Sequence, residues 1–311
     1  MNDVITDELL KKVCQIRKEI HACPETGNHE YYTADLIERV LKENGIETKQ
    51  YLDTAVVGIF HLGKGGKTVA LRADIDAGVL DGVDGVFGCH VAPDLAEGKV
   101  GIRYGKFYAA SDMFDVTITG KASHGAQPEK GIDALVAAAR AVSAIDDIHR
   151  TESERCAVSV GVMHAGTVRN TIADEAHFSG IIRSLGKENR AHLKQRVQQC
   201  VKDACKWNGA FYEIEIKESY GGIVNTDAET LIAHKAVESA FGKENVVVID
   251  EPLMTTEDFG CYVDHASGSF YHIGAGCEYP LHSPYFIPTE KALETAVKMH
   301  VAVVKEYLKQ D

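Results

Sequence analysis

Residues 71–91 read LRADIDAGVLDGVDGVFGCHV, so one apolar run ends in Asp74 and Asp76 and a second, about ten positions on, ends in His90. Two carboxylates two residues apart on an extended segment face the same side of it. That suits a divalent cation, or the orientation of a histidine ligand from behind it. The plainer alternative is turn chemistry after a strand, which Asp favours. His90 closes a buried-looking strand, and α/β sheets hold ligands just beyond the carboxyl ends of their strands. A core histidine bonded to backbone would look the same from sequence. Cys89, its neighbour, points to the opposite face and does not readily reach the same metal. In YPLHSPYF, 279–286, His282 sits between two prolines, a stiff loop that lowers the ordering cost of ligation.

A second set carries different chemistry. GKASHGAQP, 120–128, places His124 at a strand end; GTVRNTIAD, 166–174, places Asn170 in a turn between strands; GIIRS places Arg183 near another strand end. An arginine, a histidine and an asparagine can clasp a carboxylate and a polarised carbonyl oxygen. Each also has an ordinary explanation: surface charge for Arg183, turn capping for Asn170, a loop position for His124.

The elements that must position these groups follow from periodicity. Helices are predicted over 4–20 and 30–43, the second ended by Asn44-Gly45. TAVVGIF, 54–60, and KTVALRA, 67–73, read as a hairpin-like pair around GKGG, with a further strand over 84–90. From Met113 the pattern is regular: a strand, an alanine-rich helix over 130–146, strands at 156–166 and 176–184, a helix over 187–207 and a strand at 210–219. This β-α-β-β-α-β order is that of a ferredoxin-like α+β domain. The chain then returns to mixed α/β, with helices at 227–241 and 289–309 and strands at 245–249 and 269–274. We therefore expect an α/β fold with a mixed sheet and helices on both faces, built from 1–112 and 223–311. Residues 113–222 form the inserted ferredoxin-like domain.

Bulk composition narrows the function. The 311 residues suit two domains, and 45% hydrophobic with 25% charged residues is ordinary for a soluble globular protein. A net charge of −13 without a basic block argues against a nucleic-acid partner. No apolar run is long enough to span a bilayer. The acidic, amphipathic start MNDVITDELLKKV has no apolar signal core, so the cytoplasm is expected. The eight cysteines include no C-x-x-C pair and read as buried thiols.

Seven stretches in order carry a resemblance: RKEIHACPETGNHEYYTADLI, TVALRADIDA, AGVLDGVDGVFGCHVAP, GKASHGAQPEKGIDALVAAA, GTVRNTIADEAHFSGIIRS, TTEDF and FYHIGAG…PLHSP. Over essentially its full length the chain resembles the metal-dependent aminoacylase/carboxypeptidase amidohydrolases, in the branch with hippurate hydrolases and indoleacetyl-amino acid hydrolases. The resemblance implies zinc or manganese, with His90 and His282 as metal ligands. It implies that His124, Asn170 and Arg183 hold the acyl oxygen and carboxylate of a small N-acyl-amino acid or peptide-like ligand. It also implies an inserted domain that acts as lid and homodimer surface, the lid histidine reaching the other subunit's site.

The chain departs from the family inside the opening stretch. Family members carry a block between RADIDA and AGVL with a Cys-x-His segment that binds metal and a Glu-Glu segment that supplies the general base and a further ligand; here IDA joins GVL directly. Only about ten residues link the two strands, whereas a parallel crossover needs a dozen or more. Either the connection is antiparallel, or the sheet spans a vacated strand position. Glu257 of TTEDF is the nearest substitute acid, though an acid at a helix N-terminus reads the same. Three readings result: an amidohydrolase of N-acyl-amino acids with an impaired centre, a non-catalytic dimeric homologue that binds such a ligand, or a sequence from which a natural block has been removed.

Overall fold

The computed structural model describes residues 5–60, 66–72, 80 and 82–310. The chain divides into two compact units, one of residues 1–105, 225–250 and 262–311 and one of 106–224 and 251–261.

The first unit begins with α1 (Asp7–Ala22) and α2 (Tyr31–Glu43). β1 (Glu47–Tyr51) and β2 (Ala55–Ile59) then form an antiparallel pair on which α2 packs. The main sheet has the order β14 (Val246–Val248), β5 (Val100–Ile102), β15 (Gly268–Gly274), β4 (Gly85–Ala92), β3 (Val69–Arg72). All its pairings are parallel except β15 with β5. α6 (Asp227–Phe241) and α8 (Glu290–Tyr307) pack on this sheet and on each other. Phe87, Ile102, Ile232, Tyr271, Met299 and Val303 fill the core between them. At the end of β15 only glycine fits, because a Cβ on Gly274 would lie 1.9 Å from the Ala96 carbonyl oxygen.

Helix α8 starts where Thr289 turns its hydroxyl back to accept the Ala292 N–H at 3.1 Å. Thr289→Ala leaves that N–H without its cap and costs about 1 kcal/mol. A matching fall in the thermal midpoint is the measurement that checks it.

Two expectations are corrected here. Residues 54–60 and 67–73 do not pair as a hairpin: β2 pairs with β1, and β3 pairs with β4. The link from β3 to β4 is parallel, Val69 facing Gly85 and Arg72 facing Gly88, with no strand position left open between them. The physical reason is the shortness of β3. Its four residues span about 13 Å, which the twelve residues between Arg72 and Gly85 can retrace at about 3.3 Å each.

In the second unit the sheet order is β12 (Phe211–Glu218), β7 (Ala110–Thr119), β11 (Glu175–Ser184), β9 (Ala157–Ala165), all antiparallel. α3 (Ala134–Asp146) and α5 (Lys187–Asn208) cover one face. β7 alternates buried and exposed positions, as a sheet with one covered face requires. Phe114, Val116 and Ile118 point into a core with Ala137, Leu193 and Val197. Beyond the sheet, β8 (Ser123–His124) pairs with β10 (Thr171–Ile172), and the short α4 (Ile148–Thr151) follows α3. β6 (Gly105–Tyr108), β13 (Ile223–Asn225) and α7 (Gly260–Val263) lie where the chain passes from one unit to the other.

Candidate functional site

His90 lies in the C-terminal half of β4, half-buried, and parallel pairing sets it beside His272 of β15. Its Nδ1 donates to the Val91 carbonyl oxygen at 2.8 Å, leaving the Nε2 lone pair for a ligand. This backbone bond is what the plain core-histidine reading asks for, and it is also how metal-binding histidines are commonly oriented. His282 is exposed and takes a left-handed backbone, φ +65°, within the turn that Pro280 and Ser283 close at 3.2 Å. Asp74 and Asp76 lie outside the described residues.

Glu257 belongs to the other compact unit, and its Oε1 accepts the Phe259 N–H at 3.3 Å just ahead of α7. The carboxylate thus accepts a backbone N–H in the turn that precedes α7.

Sequence reasoning did not find His272, which is buried beside His90. Burial pushes its pKa down to about 4, the Asp94 carboxylate opposing that and His90 reinforcing it. The only sequence signal was alternation in SFYHIG, which cannot say which strand lies alongside. On the other face of β4, Cys89 Sγ sits 3.6 Å from His300 Nε2, and Tyr271 Oη sits 3.0 Å from His300 Nδ1. Cys89 and His90 do point apart, as strand geometry predicts. Burial pushes His300 down to about 4 and holds the Tyr271 phenol well above its ordinary value.

Within the second unit, His124 and Asn170 are brought together. His124 pairs with Thr171 across β8 and β10, and the Gly125 N–H donates to the Asn170 carbonyl oxygen at 2.7 Å. The Ala126 N–H donates to His124 Nδ1 at 3.1 Å, so the neutral ring carries its proton on Nε2 and presents a donor to solvent. Arg183 is elsewhere. It pairs with Ser111 on β7, its guanidinium donating to Ser111 Oγ at 2.6 Å, whereas Glu175, at the His124 end of β11, pairs with Thr119. Eight residues of strand separate the two ends, about 27 Å at 3.4 Å each. One chain therefore does not close Arg183 on the same ligand as His124 and Asn170.

A zinc-type centre takes three or four protein ligands. Among the described residues no three His, Cys, Asp or Glu side chains are placed to hold one ion, so these residues do not fit such a centre. Also among them, no helix is long and apolar enough to cross a membrane.

The peptidase dimerisation domain of the M20 family matches residues 109–209. The Bacillus subtilis protein YhaA, described as an amidohydrolase, is 32% identical over 292 residues, which cover 90% of this chain and 71% of YhaA. The N-acetyl-L-cysteine deacetylase of B. subtilis is 28% identical over 375 residues, covering 94% of this chain and 87% of its own. Since 94% of 311 residues is about 292, about 80 of those 375 aligned positions face no residue here. The solved structure of B. subtilis YxeP, a dinuclear metal-binding peptidase, shares the fold at a TM-score of 0.85 and 22% identity, covering 98% of this chain and 99% of YxeP. A mixed α/β fold with an inserted dimerisation domain, aligned with such relatives at both ends, leaves one conclusion: the chain belongs to the M20 family of amidohydrolases and peptidases.

Proposed function

We propose that this chain recognises N-acyl-amino acids on an amidohydrolase scaffold whose metal and general-base centre is incomplete, so that binding persists and hydrolysis is impaired. One observation carries the reading: among the described residues no three His, Cys, Asp or Glu side chains come together, so neither His90 nor His282 stands in a three-ligand cluster. The aligned positions without a counterpart here support it, and so does the missing Cys-x-His and Glu-Glu block between Asp76 and Val79.

The chemistry follows from what remains. Amide hydrolysis needs a water made nucleophilic by an ion and a base. Glu257, the nearest substitute acid, is engaged by the Phe259 N–H. Zinc or manganese would polarise the carbonyl and acidify the water, and His90 and His282 are the residues that would hold it, too few for a tight site. The clasp is better preserved. His124 offers its Nε2–H to the acyl oxygen, Asn170 adds a second donor, and Arg183 pairs with the carboxylate. The strand length between His124 and Arg183 supports a homodimer through residues 113–222, which sets the His124 end of one chain against the Arg183 end of the other. The remaining segments, 1–112 and 223–311, form the catalytic-type domain. The free state of all eight cysteines supports action in the cytoplasm.

The test combines metal content per chain, hydrolysis of acetyl- and benzoyl-amino acids, and calorimetric affinity for the same compounds. The expected result is less than one tightly held ion per chain, measurable affinity, and turnover reduced by roughly 10²–10⁴-fold for the lost base alone. Stoichiometric metal with turnover in the ordinary range, about 1–10³ s⁻¹, would overturn the proposal. Absence of affinity would remove the ligand assignment.

A further inference from the structure

The hairpin that carries Asn170 also builds a cavity. Between β9 and β10 the loop 166–170 turns at Gly166, φ +70°, and forms an open depression of about 320 Å³ with the start of α3. Leu135 and Val168 supply apolar wall, and Arg169 and Thr171 supply polar wall. Both apolar side chains are unusually open for their type, Leu135 at 41% and Val168 at 58% exposure. Thr171 of this wall is the strand partner of His124. The cavity therefore borders the acyl-oxygen end of the proposed clasp.

Arg169 decides what kind of group fits. It is exposed, and no ion pair or hydrogen bond engages it among the described residues. Asp133, the one acid in the cavity wall, is occupied: its Oδ1 accepts the Val136 N–H at 3.1 Å and caps α3. A guanidinium beside two open aliphatic side chains suits a short apolar chain that ends in a carboxylate, since fork-shaped pairing with carboxylate is the strongest contact Arg offers. Arg183 is about 27 Å of strand away and serves the amino-acid carboxylate in the proposed function.

We propose that this cavity is an acyl subsite and that Arg169 selects N-acyl-amino acids whose acyl chain carries a second, terminal carboxylate. The proposal rests on the N-acyl-amino acid reading and narrows its ligand class to dicarboxylic acyl groups. Arg169 acts here as a specificity residue that touches ligand rather than as a catalytic one.

The test compares two ligands of equal chain length, N-glutaryl-L-leucine and N-pentanoyl-L-leucine, which differ in a terminal carboxylate against a methyl. N-acetyl-L-leucine serves as the common reference, with affinities from calorimetry. The glutaryl compound is expected to bind the unaltered protein about two- to fivefold tighter, the range an exposed ion pair supplies. That preference falls to about one in Arg169→Gln and is kept only in part in Arg169→Lys, which retains the charge without the fork and shows that the exposed site tolerates substitution. Equal affinities in the unaltered protein, or a preference that survives Arg169→Gln, would overturn the subsite. If N-acetyl-L-leucine binds but the two longer ligands do not differ, the subsite falls and the functional reading stands. If none of the three binds, both fall.

Discussion

Asp112→Ala lowers the unfolding free energy of the inserted domain by about 3–5 kcal/mol, the usual cost of breaking a buried ion pair from one side. Asp112 is fully buried on β7 and faces Arg190 in the first turns of α5. The guanidinium grips the carboxylate with both hands, Nε at 3.0 Å from Oδ2 and Nη2 at 2.7 Å from Oδ1. Nη2 also reaches the Ser111 carbonyl oxygen at 3.3 Å. Removing the carboxylate leaves a largely buried cation whose nearest remaining anion is the exposed Glu218 carboxylate, 3.8 Å from Nη1, and that poorly compensated charge is where the cost arises. Denaturant unfolding of the variant measures it. The double replacement Asp112→Leu with Arg190→Met removes both charges together and recovers most of the loss. A loss below about 1 kcal/mol for the single variant would show that water reaches the pair and screens it.

The location of this pair says something about the clasp. Arg183 lies one strand over, bonded to Ser111 immediately before Asp112. The carboxylate-binding end of the proposed clasp is thus braced by a rigid, buried electrostatic contact. The His124 end is built differently, from a two-residue strand pair and a loop. Fixed and adjustable halves on one small sheet are a workable arrangement when the ligand is closed between two chains.

Much of this was legible in the sequence. The alternation in MFDVTITGK had one solution, a strand half covered by helices, and with the alanine-rich 130–146 segment it was enough to specify the inserted domain. Helix α6 was read to the residue, because Asp227 and Gly242 mark its ends. What was not legible is pairing. ETKQY of β1 is too polar to advertise a strand, so β2 was assigned the wrong partner. The clasp residues were identified by type, yet their separation along β11 depends on register, which residue type does not encode. His272 escaped for the same reason: it becomes His90's neighbour only once β15 is laid against β4. Asp74 and Asp76, chosen on spacing alone, fall outside the described residues.

The histidine of α8 that meets Tyr271 and Cys89 leads to the second large expected effect. His300, half-buried on α8, has Tyr271 on one ring nitrogen and Cys89 on the other, and desolvation pushes its pKa down to about 4. In the unfolded chain the same ring takes its proton near pH 6.5. The folded form refuses that proton until about pH 4, so between these values the unfolded state binds more protons and stability falls as pH falls. The stabilisation is complete above pH 6.5. It is lost at up to about 1.4 kcal/mol per pH unit below that, about 3 kcal/mol by pH 4. His272, pushed to about the same value by burial, adds a parallel loss over the same window. Urea unfolding of the intact protein at pH 7, 6, 5 and 4.5 should therefore show a steep decline, approaching the slope of two protons. His300→Gln keeps a hydrogen-bonding partner for the Tyr271 hydroxyl but cannot titrate. Its curve should decline with about one proton's slope less, even if it starts lower at pH 7. A variant whose pH dependence matches that of the unaltered chain would show that His300 titrates alike in the folded and unfolded states, and that acid sensitivity arises from other groups.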